Sequence, residues 1–299
     1  MAQIRVGDLS LEYERFGTSD RETILLIMGL GAQLTRWPVP LCETLVERGY
    51  HVVRFDNRDI GLSTKLDALG IPNAGALMAA RMAGEPAVPP YTLDDMAADA
   101  VGLLDALGIE RAHIVGASLG GMIAQLIAAD HSARALSLTS IMSTTANPAV
   151  PPGKPEALAA LLSPSAPAGD WDAIVARGVK VNRVIGSPAY PRDEATLKDA
   201  ILADARRSYH PPGSARQMAA VLCATDRRPK LATIRLPTVV LHGAEDPLVP
   251  VEGGQDTAAN IPGAELRVVP GMGHDLPLPL VPVVADAIEA AARRVATGA

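Results

Sequence analysis

Two periods of apolar residues alternate along this chain, and the alternation predicts its fold. Ile4 to Glu14 switches between apolar and polar about Gly7-Asp8, the pattern of a β-hairpin. Thr23 to Met28 (TILLIM) is an unbroken apolar run, as expected of a strand buried on both faces of a parallel sheet. Further strands are predicted at Tyr50 to Phe55, Ala112 to Val115, Leu136 to Met142, Thr238 to His242 and Leu266 to Val269. Helical spacing marks Leu41 to Arg48, which Gly49 stops, then Leu119 to Asp130 and Val283 to Arg294. It also marks Thr92 to Leu107, with Thr92 as N-cap, Asp94 and Asp95 in the first turn, and Gly108 as the stop. Strands alternating with helices predict an α/β fold, a mostly parallel central sheet flanked by helices.

One region breaks the alternation. Ser143 to Ile234 reads as Pro-rich loops and short helices, with candidate helices at Asp170–Ile185, Asp193–Ser208 and Ser214–Thr225. A helical insertion of this length after a strand is expected to lie as a cap over the carboxyl edge of the sheet. The chain then divides into a first part of the core (1–142), the cap (143–234) and a second part of the core (235–299). Ala74 to Pro90 is a shorter insertion, whose Met78 and Met82 share a helical face and are expected to serve packing alone.

Composition narrows the function classes. With 48% hydrophobic and 20% charged residues, the 299-residue chain is expected to bury a large core. A net charge of −6 argues against a nucleic-acid partner. The pairs Arg206-Arg207, Arg227-Arg228 and Arg293-Arg294 read as solvated helix faces. Cys42 and Cys223 lie far apart in apolar surroundings and read as buried, reduced thiols. No C-x-x-C, H-x-x-x-H or H-E-x-x-H spacing is present, so neither a metal nor another cofactor is expected. The first residues lack an apolar signal segment and no uncharged apolar run reaches about 18 residues. A soluble cytoplasmic protein with no membrane partner is the expectation.

The chemistry is concentrated at strand ends. Gly116-Ala117-Ser118-Leu119-Gly120 joins a predicted strand to a predicted helix. Such a junction lifts a serine onto a sharp turn, with glycines where side chains would collide. A serine hydroxyl needs a base within hydrogen-bond reach, and the base needs an orienting acid. Of six histidines, His51, His113 and His242 lie in strands, His131 follows the helix after Ser118, and His210 lies in the insertion. His274 differs, because Pro270-Gly271-Met272-Gly273-His274-Asp275 is a glycine-rich loop after the last strand. Asp246 is the preferred acid over Glu245, because Pro247 holds the residue before it extended. The backbone N–H of Leu119, and that of Leu30 in Gly29-Leu30-Gly31, are the expected oxyanion donors. Asp56-Asn57-Arg58-Asp59 reads as a structural loop that an Asp–Arg pair could staple.

Taken together, MGLG, DNRDIGLS, VGASLGG, GAEDPLVP and GMGHDLP resemble the α/β-hydrolase superfamily over nearly the whole chain. Within it the chain is similar to small capped esterases of the aclacinomycin methylesterase kind, which also carry Met-Gly where most relatives have His-Gly. The resemblance implies a serine carboxylesterase acting on a small-molecule ester, with Ser118 as nucleophile, His274 as base and Asp246 as acid. Leu30, Trp37, Met122, Met142 and Leu276 are the apolar candidates for the pocket wall. Competing readings are a serine C–C hydrolase or a cofactor-free perhydrolase of haloperoxidase type, and a non-catalytic ligand receptor on the same fold. Met28 in place of histidine argues against the haloperoxidase relatives, and Ser118 in place of aspartate against dehalogenases and epoxide hydrolases.

Overall fold

Strands form where the alternating and unbroken apolar runs lie. The computed structural model describes residues 1–296. These contain β1 (Ala2–Val6), β2 (Leu9–Phe16), β3 (Thr23–Ile27), β4 (His51–Phe55), β5 (Ala112–Ala117), β6 (Ala135–Ile141), β7 (Thr238–Gly243) and β8 (Glu265–Val269). They pair into one sheet in the order β1-β2-β4-β3-β5-β6-β7-β8. The hairpin β1–β2 and the β2–β4 pair are antiparallel, and every other pair is parallel. All residues of β3, β4, β5 and β7 are buried. Successive side chains of a strand point to opposite faces, so TILLIM feeds two cores. Leu25 and Ile27 join Val53, Phe55 and Ile114 on one face, while Ile24 and Leu26 join Val52, Val115 and Leu241 on the other. Each such fully buried aliphatic side chain contributes about 1.5–3 kcal/mol of transfer free energy.

The helices are α1 (Val39–Glu47), α2 (Ala74–Met82), α3 (Leu93–Ala106), α4 (Leu119–Asp130), α5 (Pro155–Leu161), α6 (Trp171–Ile185), α7 (Glu194–Arg207), α8 (Pro211–Leu222), α9 (Arg228–Leu231), α10 (Val251–Asn260) and α11 (Val281–Ala296). The residues of α3 and α4 cover the first face, and those of α1 and α11 the second. Thr92 caps α3 as expected. Its hydroxyl accepts from Asp95 N–H at 3.1 Å, and the Asp95 carboxylate accepts from Thr92 N–H at 2.7 Å. Among the described residues, no helix is long and apolar enough to cross a membrane.

Five helices, α5 to α9, lie between β6 and β7. Two of them share a small apolar core of their own, built from Ile174 and Val179 of α6 and Leu197, Ile201 and Ala205 of α7. Sequence periodicity misses α5, α9 and α10. The first two span only seven and four residues. The third carries Gly253-Gly254, poor helix formers, for a tertiary reason: a Cβ on Gly254 would stand 2.5 Å from His242 Nδ1.

Three further expectations are corrected. Met78 and Met82 are 42% and 83% exposed, because α2 turns Leu77 and Ala80 inward instead. Cys223 is only half-buried, whereas Cys42 is fully buried and burial pushes its thiol up to about 12. The basic pairs are not all solvated. Arg227 is buried, bonded to Gln125 Oε1 and Thr144 O, and Arg207 forms an ion pair with Asp56 at 2.7 Å.

A buried ion pair fastens α8 to the loop after β4. Arg216 and Asp59 both have 0% side-chain exposure and make two hydrogen bonds of 2.9 and 2.7 Å. Burial alone would raise the Asp59 carboxyl, but the bonds from Arg216 and from Leu66 N–H outweigh it and hold the group below its ordinary value of 3.8. A depressed carboxylate stabilises the fold above its unfolded-state pKa, and that stability is lost as pH falls through the lowered folded-state value. Asp59→Ala leaves a buried guanidinium without its main partner and is expected to cost about 3–5 kcal/mol at pH 7. Urea denaturation checks this, and the gap to wild type should narrow as pH drops below about 4. A gap below 1 kcal/mol, or one independent of pH, would count against this account of the pair.

Candidate active site

The site starts from a backbone reversal. β5 ends at Ala117 and α4 begins at Leu119, so Ser118 alone turns the chain, at φ 56° and ψ −120°. Residues other than glycine avoid this region, at a cost of about 1–3 kcal/mol. The turn is held from both sides. Ser118 N–H donates to Ile141 O at 2.9 Å, and Ser118 O accepts from Gly121 N–H at 2.9 Å and from the Ser143 hydroxyl at 2.8 Å. The flanking glycines answer a spatial demand. A Cβ on Gly116 would stand 2.0 Å from Gly120 O, and one on Gly120 would stand 2.0 Å from Ile27 O. Ser118 is thereby left half-buried at the end of the parallel strands.

Two loops bring the partners. His274 Nε2 lies 2.9 Å from Ser118 Oγ, and His274 Nδ1 lies 2.7 Å from Asp246 Oδ2. The Asp246 side chain is fully buried, and its second oxygen accepts from Leu248 N–H and Val249 N–H, both at 2.9 Å. An ionised carboxylate only accepts, so Nδ1 of the neutral ring carries the hydrogen and Nε2 accepts from the serine hydroxyl. This arrangement can draw a proton from Ser118 and hold the resulting imidazolium beside a negative charge. Glu245 does not reach the ring; its carboxylate accepts from Gly271 N–H and so braces the loop that carries His274. His242 is a sheet histidine, as expected. Its Nε2 donates to Val249 O at 2.8 Å, and burial pushes the ring down, which keeps it neutral at pH 7.

The loop after β3 passes directly over the serine. A Cβ on Gly29 would stand 3.1 Å from Ser118 Cβ and 3.6 Å from Ser118 Oγ. Leu30 stands next in this loop, and Leu119 is the first residue of α4, whose N–H has no acceptor within the helix. Leu30 is bracketed on both sides. Asn57 Nδ2 donates to Met28 O at 2.9 Å, and Gln217 Oε1 accepts from Gly31 N–H at 2.9 Å. Gln217 comes from α8 and is fully buried, with its Nε2 donating to Arg58 O at 3.0 Å. Sequence reading did not single out Gln217 or Ser143. A lone glutamine or serine in an amphipathic or loop segment carries no local signal of such a contact.

The expected staple within Asp56-Asn57-Arg58-Asp59 is not formed. Each charge pairs outside the loop: Asp56 with Arg207, Arg58 with Asp99 at 2.6 Å, and Asp59 with Arg216. Asp56 also accepts from Leu34 N–H at 2.7 Å and Leu62 N–H at 2.9 Å, which ties this loop to the residues after Gly29-Leu30-Gly31. Among the expected wall residues, Met142 and Leu276 share one apolar cluster with Met28, and Met122 packs in the other, against which Leu30 lies. Trp37 has 0% exposure and belongs to the core with Leu41. No group of three or more His, Cys, Asp or Glu among the described residues is arranged to hold a metal ion.

The chain is similar to known proteins over nearly its whole length. The rhodomycin D methylesterase DauP of Streptomyces sp. strain C5 is 28% identical over 305 residues, spanning 95% of both chains. Its counterpart DnrP of Streptomyces peucetius is 28% identical, spanning 94% of both. The crystal structure of the enol-lactonase from Burkholderia xenovorans LB400 superposes with a TM-score of 0.67 over 99% of this chain and 97% of that one, at 21% identity, and so speaks to the fold alone. A family model for the alpha/beta hydrolase fold matches residues 22–179, more than half of the chain, from the strand that leads into the Gly29 loop through the serine turn and into α6. With the sheet order, the strained serine at the end of β5 and this match in agreement, the chain belongs to the α/β-hydrolase fold family.

Proposed function

We propose that the protein is a serine carboxylesterase that hydrolyses small to medium carboxylic esters through an acyl-enzyme. The observation that carries this reading is the unbroken hydrogen-bond chain from Ser118 Oγ through both ring nitrogens of His274 to Asp246 Oδ2, at 2.9 and 2.7 Å. Ser118 attacks the ester carbonyl as His274 Nε2 takes its proton. The Leu30 and Leu119 N–H groups receive the negative charge that develops on the carbonyl oxygen, a contribution that is usually the largest in such reactions. The tetrahedral adduct collapses when His274 returns the proton to the leaving alkoxide. His274 then deprotonates a water, which attacks the acyl-serine and regenerates the enzyme. Asp246 keeps the hydrogen on Nδ1 and stabilises the imidazolium. Every step is assigned to groups of the chain itself and calls for no cofactor. The methylesterase relatives support an ester over a carbon–carbon bond as the scissile link. A cytoplasmic location is part of the proposal, in keeping with the free thiols of Cys42 and Cys223.

If Ser118 is the nucleophile, Ser118→Ala lowers kcat by about 10⁴-fold or more while the fold persists. Steady-state hydrolysis of a p-nitrophenyl ester, with circular dichroism as the folding control, measures this; near-wild-type turnover would refute the mechanism.

The two adjacent acids separate cleanly. Asp246→Asn favours the wrong imidazole tautomer and is expected to cost about 10³–10⁴-fold in kcat. Glu245→Gln keeps an oxygen for Gly271 N–H and should stay within about threefold of wild type. The reverse order of losses would move the acid to Glu245.

Substrate length is set by the helical insertion. Each buried methylene gains about 0.8 kcal/mol, so kcat/KM rises at first with acyl length and falls once further carbons reach beyond the pocket. The expected maximum lies at about four to eight acyl carbons. A series from acetate to palmitate esters tests it, and a continuous rise to palmitate would mean a mobile lid in place of a fixed roof.

A further inference from the structure

His274 has to satisfy two partners at once, at 2.7 and 2.9 Å on opposite sides of one ring. Such constellations tolerate about 0.5 Å of displacement. Yet the residues around it, 270 to 276, form turns and bends and no regular ladder of their own. Besides the Glu245 carboxylate on Gly271 N–H, what holds them comes from the last residue of α6 and the connection that follows it, residues 185 to 192. His274 N–H donates to Ile185 O at 2.7 Å. Gly273 N–H donates to Ser187 Oγ at 2.9 Å, and the same hydroxyl donates to Asp275 Oδ1 at 2.5 Å. Asp275 Oδ1 also accepts Ser187 N–H at 3.0 Å, and its Oδ2 faces Arg192 Nε at 3.7 Å. Arg192 Nη2 donates to Leu276 O at 3.1 Å. Four consecutive residues, 273 to 276, thus each have a polar partner in the stretch 185 to 192. The contact is also close in van der Waals space, since a Cβ on Gly273 would stand 2.5 Å from Gly186 O. Ser187 is 4% exposed, so its bonds form away from competing water.

The geometry points to Ser187 and Asp275 as positioning residues for His274, through which the α6–α7 pair sets the attitude of the base as well as roofing the pocket. This rests on the catalytic reading of His274 given above. Because α6 and α7 share their own apolar core, their connection moves with the pair, and seating the pair seats the loop that carries the imidazole. The Asp275 carboxylate acts by gathering Ser187 N–H and O–H, and Ser187 Oγ passes the constraint to Gly273, the residue before His274.

The test compares Asp275→Ala, Asp275→Asn and Ser187→Ala with wild type. Asp275→Ala is expected to lower kcat by about 10- to 100-fold with KM within twofold, because a misplaced base slows the chemical step without altering the pocket. The amide oxygen of Asp275→Asn accepts the same two bonds and should recover most of that loss. Ser187→Ala should resemble Asp275→Ala, and the double alanine variant should cost little more than either single one. The downfield proton resonance of His274 Nδ1–H, recorded by NMR, should broaden in both alanine variants and stay sharp in Asp275→Asn. Unchanged kcat and an unchanged resonance in Ser187→Ala would overturn the proposal, as would a loss confined to KM; this variant removes a single oxygen and decides the matter if Asp275→Ala does not fold. Absence of ester hydrolysis and of fluorophosphonate labelling in wild type would defeat the esterase reading instead. The proton resonance would still decide whether the clamp orders the ring.

Discussion

Gly120 lies against the carbonyl of Ile27 so closely that no side chain could stand there, and the rest of the site is built on that contact. It fixes the first turn of α4 to the end of β3. The continuation of β3 is Gly29-Leu30-Gly31, so the contact that sets the direction of α4 also sets where that loop crosses Ser118. Gly116, pressed on Gly120 O, sets the sharpness of the turn between them. The positive φ of Ser118 is tolerated because its N–H and carbonyl are both tied down, to Ile141, Gly121 and Ser143. Strain at the serine is held in place by the two strands that flank β5.

The helical insertion is fixed by charge as well as by apolar contact, the latter through Ala220, Leu231 and Ile234, which join the core. Its α6–α7 pair turns its apolar residues toward each other. Its attachments to the loops of the core include Arg207 to Asp56, Arg216 to Asp59 and the amide of Gln217 to Gly31 and Arg58. Buried ion pairs contribute little net stability once desolvation is counted, but a broken one is costly, so each permits only one seating. Apolar contacts alone would allow the helices to slide. A fork of hydrogen bonds between a guanidinium and a carboxylate does not. The loop between β4 and α2, read from sequence as structural, joins the insertion to the residues over Ser118.

Much of the fold was legible because it is written locally. TILLIM reads as a strand buried on both faces, and Thr92 with Asp94 and Asp95 behind it as the start of a helix, and both form as read. The serine turn was legible because glycines two residues to either side of a serine, between a strand and a helix, answer a local steric demand. His274 stood out among six histidines and Asp246 was preferred over Glu245, since each follows a late strand in a glycine- or proline-marked loop, and the structure brings both into one hydrogen-bond chain with Ser118. What failed to show was anything whose cause lies elsewhere in the chain. The helix at Val251–Asn260 hides behind two glycines, of which Gly254 clears the His242 ring and Gly253 lies against the Ser143 carbonyl and the Thr144 side chain. Met82 looked like packing and is exposed.

By itself, then, the sequence determined the strands, the longer helices and their order, and which serine, histidine and aspartate follow strand ends. These depend on periodicity and turn chemistry within a dozen residues. Only the tertiary structure decided that Asp56 meets Arg207 across 151 positions and Asp59 meets Arg216 across 157. It alone decided that Ser187 holds the loop of His274 and that Gln217 holds the loop over Ser118. A charge or a lone polar side chain is compatible with many partners. Which one it takes is settled by the path of the whole backbone, because a buried polar group must be satisfied by whatever the fold brings within reach.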